Sequence, residues 1–85
     1  MSGSVSAGRA NPLGAKRVDG GTNFSVWSRT AASLELLFFD DVDDPRPSRT
    51  IPLDPLHNRT ANFWHVLVPD VEPGQTYAWR AHGVF

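Results

Sequence analysis

Hydrophobic and polar positions alternate with a period of two over short runs, and Gly and Pro interrupt each run before a helical pattern can develop. From Asn11 onward the punctuation "NPLG", "DGG", "DDPRP", "LDP", "PD" and "EPG" leaves no segment long enough for an ordinary helix. The first strand is predicted at "TNFSVWS", where Phe24 and Val26 face one way and Ser25 and Trp27 the other, entered from the "DGG" turn. In "SLELLFFD", Leu34, Leu36 and Phe38 alternate with Glu35, Leu37 and Phe39, so both faces are expected to be buried at one end of that strand. "SRTIPL" contains Pro52, which donates no ladder hydrogen bond and suits an edge strand. "NFWHVLV" and "QTYAWRAHG" follow, joined by "PDVEPG" with a Pro73-Gly74 tight turn. A hairpin and a sheet-crossing arch fit that connection equally. Residues 1–10 are small and polar, the composition of a disordered lead-in or a cloning remnant.

Six to seven short strands at this spacing predict an all-β fold, an antiparallel β-sandwich of immunoglobulin-like type, with a small barrel as the alternative. With 85 residues, 40% of them hydrophobic, one core and one domain over residues 11–85 are expected. Three Trp, five Phe and one Tyr are available to fill it. The absence of Cys excludes a thiolate metal site or a Cys nucleophile and suits a reducing compartment. A net charge of -1 lacks the basic stripe of a nucleic-acid binder. The longest apolar run, "LELLFF", carries Glu35 and is far short of the roughly 20 residues of a membrane-spanning helix, and "MSGSVSAGRA" has no apolar core of a signal peptide. Neither a nucleic-acid nor a membrane partner is expected.

Candidate chemistry is sparse. Asp40, Asp41, Asp43 and Asp44 in "FFDDVDDP" offer oxygens for Ca²⁺, but the Gly and distant Glu of an EF-hand loop are missing, and a solvated turn is expected instead. One acidic turn also does not make the cleft that a pair of glycosidase carboxylates requires. His57, His65 and His82 have no metal-ligand spacing; His65 and His82 read as half-buried strand residues whose ring nitrogens find backbone or carboxylate partners. No G-x-S-x-G elbow is present, and the sequons at Asn23 and Asn58 are not read as modified. No catalytic residue, metal or cofactor is assigned. The aromatics Trp27, Phe39, Trp64, Trp79 and Phe85 exceed what one face of so small a sandwich needs. They fill the core, stack on the apolar faces of sugars, or form a patch that docks against a neighbouring domain.

The order "NPLGAKRVDGGTNFSVWSRTAASLELLFFDD", "RPSRTIPLD", "FWHVLVPDVEPGQTYAWRAHGVF" closely resembles the N-terminal domain of isoamylase-type glycogen and starch debranching enzymes, over essentially all of residues 11–85. The resemblance implies carbohydrate-binding module family 48, with an early-set immunoglobulin-like fold placed ahead of a (β/α)₈ catalytic barrel. It implies a module excised at a domain border, whose parent cleaves α-1,6 branch linkages by a retaining two-carboxylate mechanism while this chain hydrolyses nothing. The implied partners are that barrel and an α-glucan such as glycogen, amylopectin or limit dextrin. Relatives that grip glycogen use a pair of Trp residues with a Lys and an Asn. By order along the chain Phe85 falls where the second Trp would, and "FFDDVDDP" has no aromatic after Phe39 to serve as the first. The expected glucan-binding residues are Phe85, Trp64, Trp79, Arg80 and Asn62, and the expected docking residues Trp27 and Phe39. A bacterial cytosol is expected, a plastid less so, since no Ser/Arg-rich transit peptide precedes Asn11.

Overall fold

Each period-two run forms a strand in the computed structural model, which describes residues 5–83. In chain order these are β1 (Gly14–Val18), β2 (Gly21–Trp27), β3 (Ala31–Phe39), β4 (Arg49–Pro52), β5 (Arg59–Thr60), β6 (Phe63–Val68) and β7 (Thr76–Gly83). Two antiparallel sheets result, with orders β1-β2-β6-β5 and β4-β3-β7, and no strand is shared between them. The expected immunoglobulin-like sandwich is therefore the fold, and the barrel is not. At "PDVEPG" the structure selects the arch, because β6 lies in the first sheet and β7 in the second. Gln75 Nε2 donates to the Phe39 carbonyl (2.8 Å), and Arg49 reaches Asp70 (3.0 Å), tying that arch to the second sheet. β4 is an edge strand, as Pro52 requires.

Two strands escaped the sequence pattern. β1 pairs with β2 across the Asp19-Gly20 turn, but of its residues all but Gly14 are exposed, so "GAKRV" shows no apolar alternation. β5 is two residues long, paired with Trp64 and Phe63 of β6.

The core forms where the inward residues of the two sheets meet. Phe24, Trp64, Val66 and Val68 come from the first sheet, and Leu34, Leu36, Phe38 and Ile51 from the second, joined by Leu53 beyond β4, with Val26, Tyr77 and Trp79 packed at the margin. Phe24 meets Phe38 at 5.5 Å between ring centroids and Tyr77 edge-on at 4.9 Å, so one side chain contacts both β3 and β7. Leu37 is buried although its register places it on the outer face of the second sheet, consistent with a strand buried on both sides near its end.

Residues 5–10 depart from the expectation of disorder. Ser6 exchanges two backbone hydrogen bonds with Leu67 at the β6 edge (3.0 and 2.9 Å), and the chain then crosses the outer face of the first sheet as a strap. The side chains of β2 and β6 that point away from the core hold it. His65 Nδ1 donates to the Ala7 carbonyl (2.6 Å), Asn23 pairs with both the N–H and the C=O of Arg9 (2.7 and 3.0 Å), and Ser25 Oγ donates to the Ala10 carbonyl (2.7 Å). Thr60 completes the relay by donating to His65 Nε2 (2.8 Å). The composition that suggested disorder is what close approach needs: Gly8 has a φ of 73°, and a Cβ there would lie 2.6 Å from Asn23 Oδ1 and 2.8 Å from the Val66 carbonyl carbon.

Loss of the strap's anchors should weaken the whole sandwich. Asn23→Ala is expected to lower unfolding free energy by about 1–3 kcal/mol, because it strands a backbone donor and acceptor. Urea denaturation and faster hydrogen exchange at the Arg9 amide are the readouts, and an unchanged midpoint would show the strap to be energetically idle.

Candidate functional site

The expected glucan-binding residues do not form one surface. Trp64 is fully buried, at 0% exposure, in the core between the sheets, which corrects its assignment to a sugar platform. Its even position in β6 puts it beside Val26 on the inner face, and its indole Nε1 has no partner among the described residues. The Arg59 guanidinium lies over the same ring at 5.1 Å. Trp79 faces inward from β7 opposite Leu36 and is half-buried against the core, whereas Arg80, its neighbour, is on the outer face of the second sheet. Asn62 sits in the β5–β6 turn of the first sheet. Phe85 lies outside the described residues.

The expected docking residues are also separated. Phe39 is on the outer face of the second sheet, level with Thr76, and Trp27 is on the outer face of the first, opposite Phe63. No single flat contact covers both.

What the fold does bring together is Trp27 and Asn62. Thr60, Phe63 and Trp27 are cross-strand neighbours on β5, β6 and β2, so their side chains share a row on the outer face, roughly 10 Å across at about 4.8 Å per strand. The strap's side-chain anchors end at Ser25, leaving Trp27 51% exposed and Phe63 half-buried. The adjoining turn is fixed. Ser28 N–H donates to the Asn62 carbonyl (2.8 Å), Arg59 Nε donates to the Ala61 carbonyl (2.7 Å) and Arg59 Nη2 to Asn62 Oδ1 (3.4 Å). Ala61 adopts a φ of 53°, a left-handed conformation that the Arg59 contact helps to hold. Sequence reasoning missed Phe63 and Arg59. The alternation within "NFWHVLV" does place Phe63 on the face opposite Trp64, but its partnership with Trp27 depends on the β2–β6 register.

On the outer face of the second sheet, Glu35 Oε1 accepts from Arg80 Nε (2.7 Å) and from His82 Nε2 (2.8 Å). The Arg80 hydrogen bond, followed by that of His82, holds the Glu35 carboxyl below the usual carboxylate range. Between β1 and β7 a cleft of about 300 Å³ opens onto Phe24 and Tyr77, with Arg17 and Gln75 at its rim. In the acidic turn, Asp44 N–H donates to the Asp41 carbonyl (3.0 Å) and Asp43 N–H to Asp41 Oδ1 (3.3 Å). Among the described residues no group of three or more His, Asp or Glu side chains is placed to hold a metal ion. His65 and His82 lie in strands and have the backbone, hydroxyl and carboxylate partners expected of them, but neither is half-buried: His65 is buried under the strap and His82 is exposed on the outer face of the second sheet.

Residues 12–85 match the family described as carbohydrate-binding module 48, the isoamylase N-terminal domain. The chain belongs to this family. The module is 42% identical over 83 residues to "Isoamylase 1, chloroplastic" of Oryza sativa subsp. japonica, which spans 95% of this chain and 10% of that protein. It is 44% identical over 78 residues to "Glycogen operon protein GlgX homolog" of Mycobacterium tuberculosis (strain ATCC 25618 / H37Rv), covering 92% of the chain and 10% of that protein. A similar structure is that of apo pullulanase from Paenibacillus barengoltzii, with a TM-score of 0.72 at 17% identity, covering 98% of the module and 15% of the pullulanase. The module thus spans about a tenth of the curated relatives it matches.

The Glu35 cluster gives the module a pH dependence of known sign. Its folded pKa lies below the unfolded one, so its stabilisation is present above the unfolded value near 4.5 and is lost as pH falls through the folded value. Urea midpoints should therefore fall on acidification below about pH 5. Glu35→Gln should flatten part of that fall without abolishing it, since Asp54 and Asp70 are shifted in the same direction by His57 and Arg49. A Glu35→Gln profile identical to that of the parent chain would contradict the cluster's contribution.

Proposed function

We propose that the chain is the N-terminal module of an isoamylase-type debranching enzyme, an α-1,6-glucosidase, in which it packs on a (β/α)₈ catalytic barrel and helps to position branched α-glucan. The observation that carries this reading is the family match over residues 12–85, combined with alignment to only about a tenth of relatives named for isoamylase and glycogen functions. In such enzymes the catalytic carboxylates lie at the ends of barrel strands, so the module itself contributes none. α-Glucan is the carbohydrate in this reading, because a debranching parent acts on it. A bacterial cytosol is the proposed setting, in keeping with a chain that has no Cys.

Docking is assigned to the outer face of the second sheet. Phe39 and Ala78 lie at its middle around the buried Leu37, Pro52 borders it, and the Glu35–Arg80–His82 cluster flanks it. Among the described residues β7 is an edge strand of eight residues with one side unpaired, the arrangement that accepts a further strand or a second chain. An autonomous glucan-binding module is the second reading, favoured by the exposed Trp27 row.

Incubated with glycogen or pullulan, the purified chain should release no reducing ends, whereas it should self-associate at high concentration through the uncovered β7 side. Light scattering after size exclusion should show this association reduced by Ala78→Lys, which places a charge on that face. Release of branches by the chain would overturn the modular reading, and a strictly monomeric chain at millimolar concentration would overturn the docking assignment.

A further inference from the structure

We propose that the Trp27–Phe63 row on the outer face of the first sheet is a stacking site for glucosyl units of an α-glucan chain, with Asn62 and Thr60 as its polar rim and Arg59 supporting Asn62 from the inner side. The inference rests on the reading of the chain as a glucan-associated module and gives that reading a location.

Three features of the row fit a sugar. Adjacent aromatic side chains on neighbouring strands present apolar surface to the C–H faces of pyranose rings, and Trp27 is half exposed where nothing else among the described residues covers it. The rim supplies both kinds of polar partner that sugar hydroxyls need. Asn62 Nδ2 has no acceptor among the described residues, since Arg59 engages only the Oδ1 side of the amide. Thr60 commits its proton to His65 Nε2, which leaves its oxygen able to accept. Finally, the rim is held in place before any ligand arrives. Arg59 pins the strained Ala61 turn while stacked on buried Trp64, and His65 orients Thr60 because its other nitrogen is bound to the strap carbonyl of Ala7. Such preorganisation removes much of the ordering cost of binding.

A neighbouring protein domain is the weaker occupant. Interdomain contacts bury roughly 600–1,500 Å². Two rings, of which one is already half-buried, offer only a fraction of that at about 150–250 Å² for a fully covered aromatic side chain. A sugar chain of a few units needs no more than the row provides.

The test is a ¹⁵N NMR titration of the 85-residue chain with maltoheptaose to about 10 mM, a ceiling set by the weak affinity expected of one stacking row, with Trp fluorescence in parallel. Saturable shifts should centre on the Trp27 indole, Phe63 and Asn62, and Trp27→Ala should weaken binding at least tenfold while the Arg9 and Ala10 strap signals stay in place. If Trp27→Ala does not fold, Trp27→Phe, expected to retain binding, and Asn62→Ala, expected to weaken it, carry the same comparison. Shifts that cluster on β7 and survive Trp27→Ala would overturn this site while leaving a glucan-binding module intact. A flat titration of the folded chain would overturn both this site and the second reading of the function.

Discussion

The inward placement of Phe24 is the constraint on which the rest of this structure depends. Its ring is the point where β2 reaches both β3 and β7 across the sandwich, and the side-chain period of two then leaves its neighbours no choice. With Phe24 inside, Asn23, Ser25 and Trp27 must face outward. Two of these residues are polar and short, and they become the anchors of the strap; the third is a large aromatic that the strap does not reach. A one-residue slip of β2 would bury Asn23 and Ser25 between the sheets and expose Phe24, a loss on both faces. Register in the first sheet is therefore fixed by the core and read out on the surface.

The legible part of the fold was the part written in alternation. The "TNFSVWS" and "SLELLFFD" patterns identify inward faces correctly, and Pro52 marks an edge strand for the reason that it cannot donate. β1 was not legible because an edge strand with exposed side chains has no apolar partner to announce it. The strap was misread for a related reason. Small residues signal disorder when nothing holds them, yet at Gly8 smallness is what lets backbone lie against the sheet. Composition alone does not separate these cases, since the difference lies in Asn23, Ser25 and His65, remote in sequence. Of the candidate site, Trp27 and Asn62 were each singled out, but for different roles, and only pairing of β2 with β6 places them together. Trp64 shows the converse: an aromatic residue in a strand is a platform or a core filler according to its parity relative to the register.

The strap also links parts of the molecule that the strands alone would leave independent. From Ala7, the hydrogen bonds run through His65 to Thr60, which shares its row with Phe63 and Trp27. His65 must donate from Nδ1, since the carbonyl of Ala7 can only accept, and this leaves Nε2 as the acceptor for the Thr60 hydroxyl in the neutral ring. The tautomer is thereby set from the strap side, and the orientation of the rim hydroxyl follows from it. A segment that contributes little apolar area thus determines which face of Thr60 is presented to solvent.

On the proposed reading, the weakness of a single aromatic row is no argument against its use. An interaction with a millimolar dissociation constant, about −4 kcal/mol, leaves a free module mostly empty at low glucan concentrations. Tethering changes this. When a glucan is already held by a second site on the same polypeptide, the row meets it at an effective concentration of the order of millimolar, and the second contact is occupied for a substantial fraction of the time. A tight site would instead retain the chain after cleavage. The assignment of sugar to the first sheet and docking to the second follows the same logic, since the two outer faces point in opposite directions and a stacking row serves the catalytic domain only if docking leaves it uncovered.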